Sequence, residues 1–240
     1  HAVGQSSGCA VTLPLMRGVR LKTSNVKPKE IKMSKLLYLE SSPRKERSAS
    51  TEVAQSFIVA FRDADPKNEV ETLDLWDFQL PEFDGDRINA KYKVLHGENP
   101  ANEEAKAWEE ISKIVALFKD ADSYLFSIPM WNFSIPYKLK HFIDVITQPG
   151  LTFSFSPETG YQGLVTGKPG TVIYARGGEY SNTETSAMDF QKTYMEMYLG
   201  FIGFQDIKTI LVEPTLTEPE SKERILSAAK DQAIVFAKQL

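Results

Sequence analysis

At 240 residues, with 42% hydrophobic and 25% charged side chains, the chain is long enough to close a full core and is expected to form one main domain. No apolar run approaches the ~20 residues that span a bilayer. The formal charge of −4 conceals a basic start: residues 1–32 hold six Lys or Arg and one Glu, a balance of +5 that leaves −9 for the remainder. Such an acidic body does not suit nucleic acid, whose phosphates demand a basic face.

Residues 1–32 begin with His1, show no helical or strand period and stop just before the first good strand, so they read as a leader or an appended extension to a domain spanning residues 33–240. Arg and Lys dominate the charges of this segment, which keeps an organelle-targeting role as the lesser alternative. The single cysteine, Cys9, lies inside it. The main domain therefore has no disulfide, Cys-rich zinc site or thiol nucleophile to offer, and a reducing cytoplasm is the expected setting. His1, His96 and His141 lack ligand-like spacing, and no metal is expected.

From Lys35 onward, strand and helix alternate. Lys35 to Leu39 is the first strand, and Val53, Phe57, Ile58 and Phe61 mark one face of a helix starting near Thr51. Glu69 to Leu75 alternates charged and apolar residues, as a half-exposed edge strand does. Asp77 to Pro100 reads as a long connection punctuated by Pro and Gly, and connections of that length tend to be functional. Trp108, Ile111, Val115 and Phe118 give the next helix its stripe, which leads into the near-continuous apolar strand Ser123 to Ile128, expected at the sheet centre.

Ser134 and Pro136 suit a helix start, and Leu139, Phe142, Ile143 and Ile146 form its buried face before Pro149-Gly150. Leu151 to Gly170, with four glycines between short aromatic runs, reads as a hairpin-like excursion. A strand over Thr171 to Tyr174, a helix over Thr185 to Leu199, a strand over Ile207 to Val212 and a final helix with Leu226, Ala229, Ala233 and Phe236 on one side complete the chain. Five strands joined by helical crossovers imply a parallel sheet covered on both faces, an α/β three-layer sandwich. The flavodoxin-like order 2-1-3-4-5 is the economical choice, with its switch point between the first and third strands.

Three segments at strand ends carry the chemistry. The first strand runs into a turn holding Ser42, Ser48, Ala49 and Ser50 at a helix N-terminus, where unpaired N–H groups and the helix dipole accept a phosphate. Serine is also a common helix cap, so the turn has a plain structural reading as well. Neither G-x-G-x-x-G nor a P-loop pattern is present. Met130-Trp131-Asn132-Phe133 follows the central strand, and Ala175-Arg176-Gly177-Gly178 follows the next one. Loops rich in glycine, aromatic and amide groups suit a flat ring with polar edges. Met188, Phe190, Tyr194, Met195, Met197, Tyr198, Phe201 and Phe204 exceed what one inward stripe requires, and two readings stand: a heavily packed core helix or a dimer interface.

With these three motifs in order, the stretch from Met33 to Leu240 resembles the FMN-dependent NADH-azoreductase and NADH:quinone oxidoreductase family. Supporting stretches are Gly150 to Phe153, Gly163 to Lys168 and Leu199 to Gly203. The resemblance implies a homodimer of flavodoxin-like subunits with FMN bound near the interface. NADH is the implied electron donor, with NADPH open, and quinones, azo compounds or nitroaromatics are the acceptors in a ping-pong, two-electron scheme. By the same resemblance, Ser42, Ser48, Ala49 and Ser50 would hold the FMN phosphate. Met130, Trp131, Asn132 and Phe133, with Ala175, Arg176, Gly177 and Gly178, would line the isoalloxazine, and Phe153 and Tyr198 would shape the acceptor pocket.

Family members often carry Tyr in place of Trp131 and Ser in place of Ala175, which affects acceptor range more than cofactor binding. No side chain is expected to act as a catalytic acid or base, because hydride chemistry belongs to the flavin itself. Two other readings remain: a flavodoxin-type one-electron carrier without NADH turnover, and a flavin-free α/β interaction module.

Overall fold

The computed structural model describes His1 and residues 34–240. The chain divides into two units between Lys32 and Met33, and the reading of residues 1–32 as a leader lies outside the described residues apart from His1. The described domain runs β1 (Lys35–Glu40), α1 (Ala49–Ala64), β2 (Glu69–Asp74), α2 (Gly85–Leu95), α3 (Asn102–Lys119), β3 (Ser123–Pro129), α4 (Tyr137–Ile146), β4 (Phe153–Ser156), β5 (Gly160–Gly163), β6 (Gly170–Ala175), α5 (Lys192–Ile202), β7 (Ile207–Val212) and α6 (Pro219–Ala237).

The sheet is parallel, in the order β2-β1-β3-β6-β7. Counting sheet strands alone, this is 2-1-3-4-5; the labels differ only because β4 and β5 form a separate antiparallel hairpin from the Leu151–Gly170 excursion. Side chains alternate between the two faces, as a two-residue period demands. Leu36 and Tyr38 of β1, Leu125 of β3 and Ile173 of β6 pack with Phe57, Phe61 and Ala233 of α1 and α6. Leu37, Phe126 and Val172 pack on the opposite side with Ile111, Phe142 and Leu199 of α3, α4 and α5. Central β3 is buried from Ser123 to Ile128, whereas edge strand β2 fully buries only Leu73.

Three elements depart from the sequence reading. The Asp77 to Pro100 connection contains α2, started by Asp84, whose carboxylate accepts from the Arg87 N–H at 3.3 Å. Because only Ala90 of α2 is buried, no apolar stripe announced it. The helix assigned from Thr185 instead begins at Lys192. Residues 186–188 form a single 3-10 turn, the Phe190 N–H is drawn to the Phe133 carbonyl (3.1 Å), and Asp189 caps the Lys192 N–H (2.9 Å). This long-range bond holds the segment out of the helix. In α3, Ala107 rather than Trp108 is the fully buried residue of the first turns.

Candidate functional site

The carboxyl ends of β1, β3 and β6 stand side by side, with Glu40 paired to Ser127 and Pro129 to Ala175. The segments singled out in sequence therefore leave the sheet at one rim. After β1, the Ser41 N–H and hydroxyl both donate to the Ser127 carbonyl, at 3.3 and 2.5 Å, which seats the serine turn on the central strand. Ser42, Ser48 and Ser50 are all buried.

Ser48 occupies the N-cap of α1, yet its side chain makes no capping hydrogen bond; its hydroxyl meets that of Ser50 at 3.1 Å. The first backbone bond of the helix is Glu52 N–H to the Ser48 carbonyl, so the N–H groups of the preceding turn point out of the helix end unclaimed by a cap. Among the described residues these two buried hydroxyls bond each other beside an uncapped helix N-terminus, a donor set suited to an anion. Beneath the turn, Glu40 is buried with Oε1 unpartnered among the described residues, and burial raises its carboxyl above the ordinary value of 4.5.

The turn after β3 closes on itself: Trp131 and Ser134 exchange both backbone hydrogen bonds at 2.9 Å, with Asn132 at φ 47° and Phe133 at φ 69°. Two successive left-handed residues define a tight turn that Asn tolerates and Phe does not favour. Asn132 and Phe133 are exposed at its tip. The Met130 N–H donates to the Ala175 carbonyl at 2.8 Å, which extends the β3–β6 ladder into the two turns. Ala175 itself turns its side chain into the core, so it offers main chain to the rim.

Arg176 is placed differently from a ring-lining cation. Its side chain is fully buried, with Nε donating to Gln191 Oε1 (3.1 Å), Nη1 to Glu213 (3.1 Å) and Nη2 paired with Asp189 (2.8 Å). Its guanidinium lies over the rings of Tyr174 and Tyr180, at 5.6 and 5.9 Å. Arg176 thus braces the turn from within. Gly177 and Gly178 remain at the rim, their N–H groups donating to no backbone carbonyl among the described residues.

A cleft of about 550 Å³ opens beside the Asn132 turn, lined by Trp131, Asn132, Ser134, Tyr137, Lys140 and Tyr194. Trp131 and Tyr137 share a ring cluster with Trp76, which stands 5.8 and 5.5 Å from them. A larger groove of about 660 Å³ between α1 and α6 touches none of the candidate residues. Neither Phe153 nor Tyr198 lines the cleft. Tyr198 is buried behind it, stacked against Tyr194 at 6.3 Å, whereas Phe153 packs on Tyr161 and Phe201 at the hairpin. Sequence reasoning missed Tyr137 and Lys140, which line the cleft, and Trp76, which packs against its aromatic wall.

Residues 34–235 match the flavodoxin-like fold family. A protein of Desulfotalea psychrophila called "FMN-dependent NADH:quinone oxidoreductase" is 69% identical over 208 residues, covering 87% of this chain and 98% of that protein. The chain belongs to this oxidoreductase family. A Pseudomonas fluorescens member, "FMN-dependent NADH:quinone oxidoreductase 3", is 44% identical over 211 residues, covering 87% of this chain and 98% of its own length. Among solved structures, an azoreductase from Bacillus anthracis superposes with a TM-score of 0.79 at 31% identity, covering 87% of this chain and 100% of that one. A second B. anthracis structure, an FMN-dependent NADH-azoreductase in complex with FMN, superposes at 0.76 with 28% identity, covering 86% and 99%.

Proposed function

We propose that this family member binds FMN at the β1-β3-β6 rim and uses NADH to reduce quinones and azo compounds in alternating two-electron half-reactions. The observation that carries this reading is the buried Ser48–Ser50 pair at an uncapped helix N-terminus, on the same rim as the two turns tied by Met130 and Ala175. Ser42, Ser48, Ala49 and Ser50 hold the phosphate through hydroxyl and backbone N–H donors. Met130 to Phe133 and Ala175 to Gly178 flank the ring, with Arg176 contributing main chain at the surface and its side chain as a brace. Asn132 presents an amide to a ring edge, and Gly177 and Gly178 let main chain come close.

When bound, FMN supplies hydride acceptance from the nicotinamide and delivery to the acceptor, which is why no side-chain acid or base is assigned. The aromatic cleft at Trp131, Tyr137 and Tyr194 accepts the flat donor or acceptor and excludes water from it. Tyr198 shapes that cleft from behind. Phe153 stands on the hairpin of its own chain, so its place in an acceptor pocket belongs with a homodimer reading. Exposed Phe133, Met188, Phe190 and Met197 support that dimer, and a cytoplasmic setting fits the lone Cys9. No described helix is long and apolar enough to cross a membrane.

Titration with FMN followed by anaerobic rapid mixing with NADH, then with a benzoquinone or an azo dye, tests the assignment. Yellow protein that bleaches with NADH and regains colour with the acceptor is the expected result. Protein that stays colourless after dialysis against FMN would remove the enzyme reading. An accumulating one-electron-reduced form without NADH turnover would favour a carrier instead.

A further inference from the structure

Three consecutive residues ahead of α5, none of them a rim residue, each bond to a different piece of the rim. Asp189 pairs with Arg176, the Phe190 N–H donates to the Phe133 carbonyl at 3.1 Å, and the Gln191 side chain reaches the end of β3. Gln191 is fully buried. Its Oε1 accepts from Arg176 Nε at 3.1 Å while its Nε2 donates to the Ile128 carbonyl at 2.9 Å. One amide thus spans the gap between the residue before Pro129-Met130 and the residue before Gly177-Gly178.

The chemistry of that span is specific to glutamine. Arg176 Nε can only donate and the Ile128 carbonyl can only accept, so a group carrying both an acceptor and a donor at the same distance is required. A carboxylate in its place would keep the arginine bond and face the carbonyl with an unpaired oxygen. A thioether of similar length would serve neither partner. In a buried site either loss is felt, since the freed polar group has no water to turn to.

We propose that Gln191 is a positioning residue for the flavin ring: without touching cofactor or substrate, it sets the separation of the Met130–Phe133 and Ala175–Gly178 turns. The inference rests on the FMN reading above for its functional consequence, but the clasp itself is a property of the unliganded chain. It acts on the ring end of the ligand, because among the described residues its side-chain hydrogen bonds go to Arg176 and Ile128 and none to the serine turn. Ring affinity and phosphate affinity should therefore separate.

The test compares Gln191→Met, Gln191→Glu and the paired Ser48→Ala/Ser50→Ala variant with wild type. In the apoprotein, Gln191→Met should accelerate hydrogen exchange at the Met130 N–H, which donates to Ala175, by about tenfold, with Gln191→Glu intermediate. In titrations, Gln191→Met should weaken FMN and riboflavin by the same factor, about tenfold. The serine pair should weaken FMN and leave riboflavin unchanged. The visible circular dichroism of bound flavin should change in Gln191→Met and persist in the serine pair.

Unchanged exchange at Met130, or wild-type riboflavin affinity and dichroism in Gln191→Met, would overturn the proposal. If wild type bound no flavin, the functional assignment would fall while the exchange measurement still decided the clasp. Should Gln191→Met fail to fold, the same readouts on Gln191→Glu decide it.

Discussion

The indole Nε1 of Trp76 donates to the backbone carbonyl of Ser41 at 3.0 Å. One residue of the β2–α2 connection thereby joins the serine turn to the aromatic wall, since the same indole stands against Trp131 and Tyr137. Trp76→Phe keeps a ring and removes the donor. The expected outcome is a fall in thermal midpoint of roughly 2–4 °C, the worth of about 1 kcal/mol for one net hydrogen bond already made without ligand, with a smaller loss of FMN affinity. Thermal melts and isothermal titration of the two proteins measure the two effects.

The Asn132 turn separates backbone from amide. Alanine at φ 47° is held in the left-handed region at a cost of about 1–2 kcal/mol, which glycine escapes. Asn132→Ala is expected to lower both FMN affinity and Tm, the latter by roughly 2–6 °C for a domain of this size. Asn132→Gly should lower affinity while leaving Tm near wild type. Equal affinity in Asn132→Gly and wild type would mean that the side-chain amide contributes nothing to the ring site.

Two glycines invite opposite results. A Cβ on Gly178 would lie 3.4 Å from Tyr180, an ordinary contact, so nothing in the protein itself requires glycine there. Gly178→Val should fold with near wild-type Tm and fail to retain FMN on a desalting column. A Cβ on Gly163 would collide with the backbone of Gly203, at the C-cap of α5. Gly163→Ala must part β5 from the end of α5, and overpacking of about 1–3 kcal/mol should lower Tm by roughly 2–10 °C.

Glu40 gives the stability a pH dependence of known sign. Its folded carboxyl titrates above the ordinary 4.5 because burial disfavours the charged form, so the folded state binds more protons than the unfolded state between the two values. This group's contribution to stability is therefore fully present below the unfolded value and is lost as pH rises through the folded one. Glu40→Gln should raise Tm at neutral pH, and the gain should vanish in acid. Thermal melts of both proteins across that range check the direction.

Much of the sheet was legible because β1, β3 and β6 are covered on both faces and so carry unbroken apolar runs, and because the glycine-punctuated hairpin could be nothing helical. The elements that escaped are those whose partners lie far off in sequence. α2 buries only Ala90 and so shows no stripe, and the start of α5 is decided by a bond from Phe190 to Phe133. The same holds at the site. Its serine and glycine turns announced themselves through composition, whereas the bracing role of the Arg176 side chain shows only when its partners Asp189, Gln191 and Glu213 are seen around it. Gln191 gave no local signal, since a glutamine ahead of a helix is unremarkable until its two bonding partners are known.

The hydrogen bond from Met130 to Ala175 continues the sheet's own pairing into the binding walls. Sheet pairing at this point, together with the Gln191 clasp further out, holds the two walls before any ligand arrives, which leaves little chain to order. Capture should be a single fast phase limited by encounter, with no slower rearrangement following it.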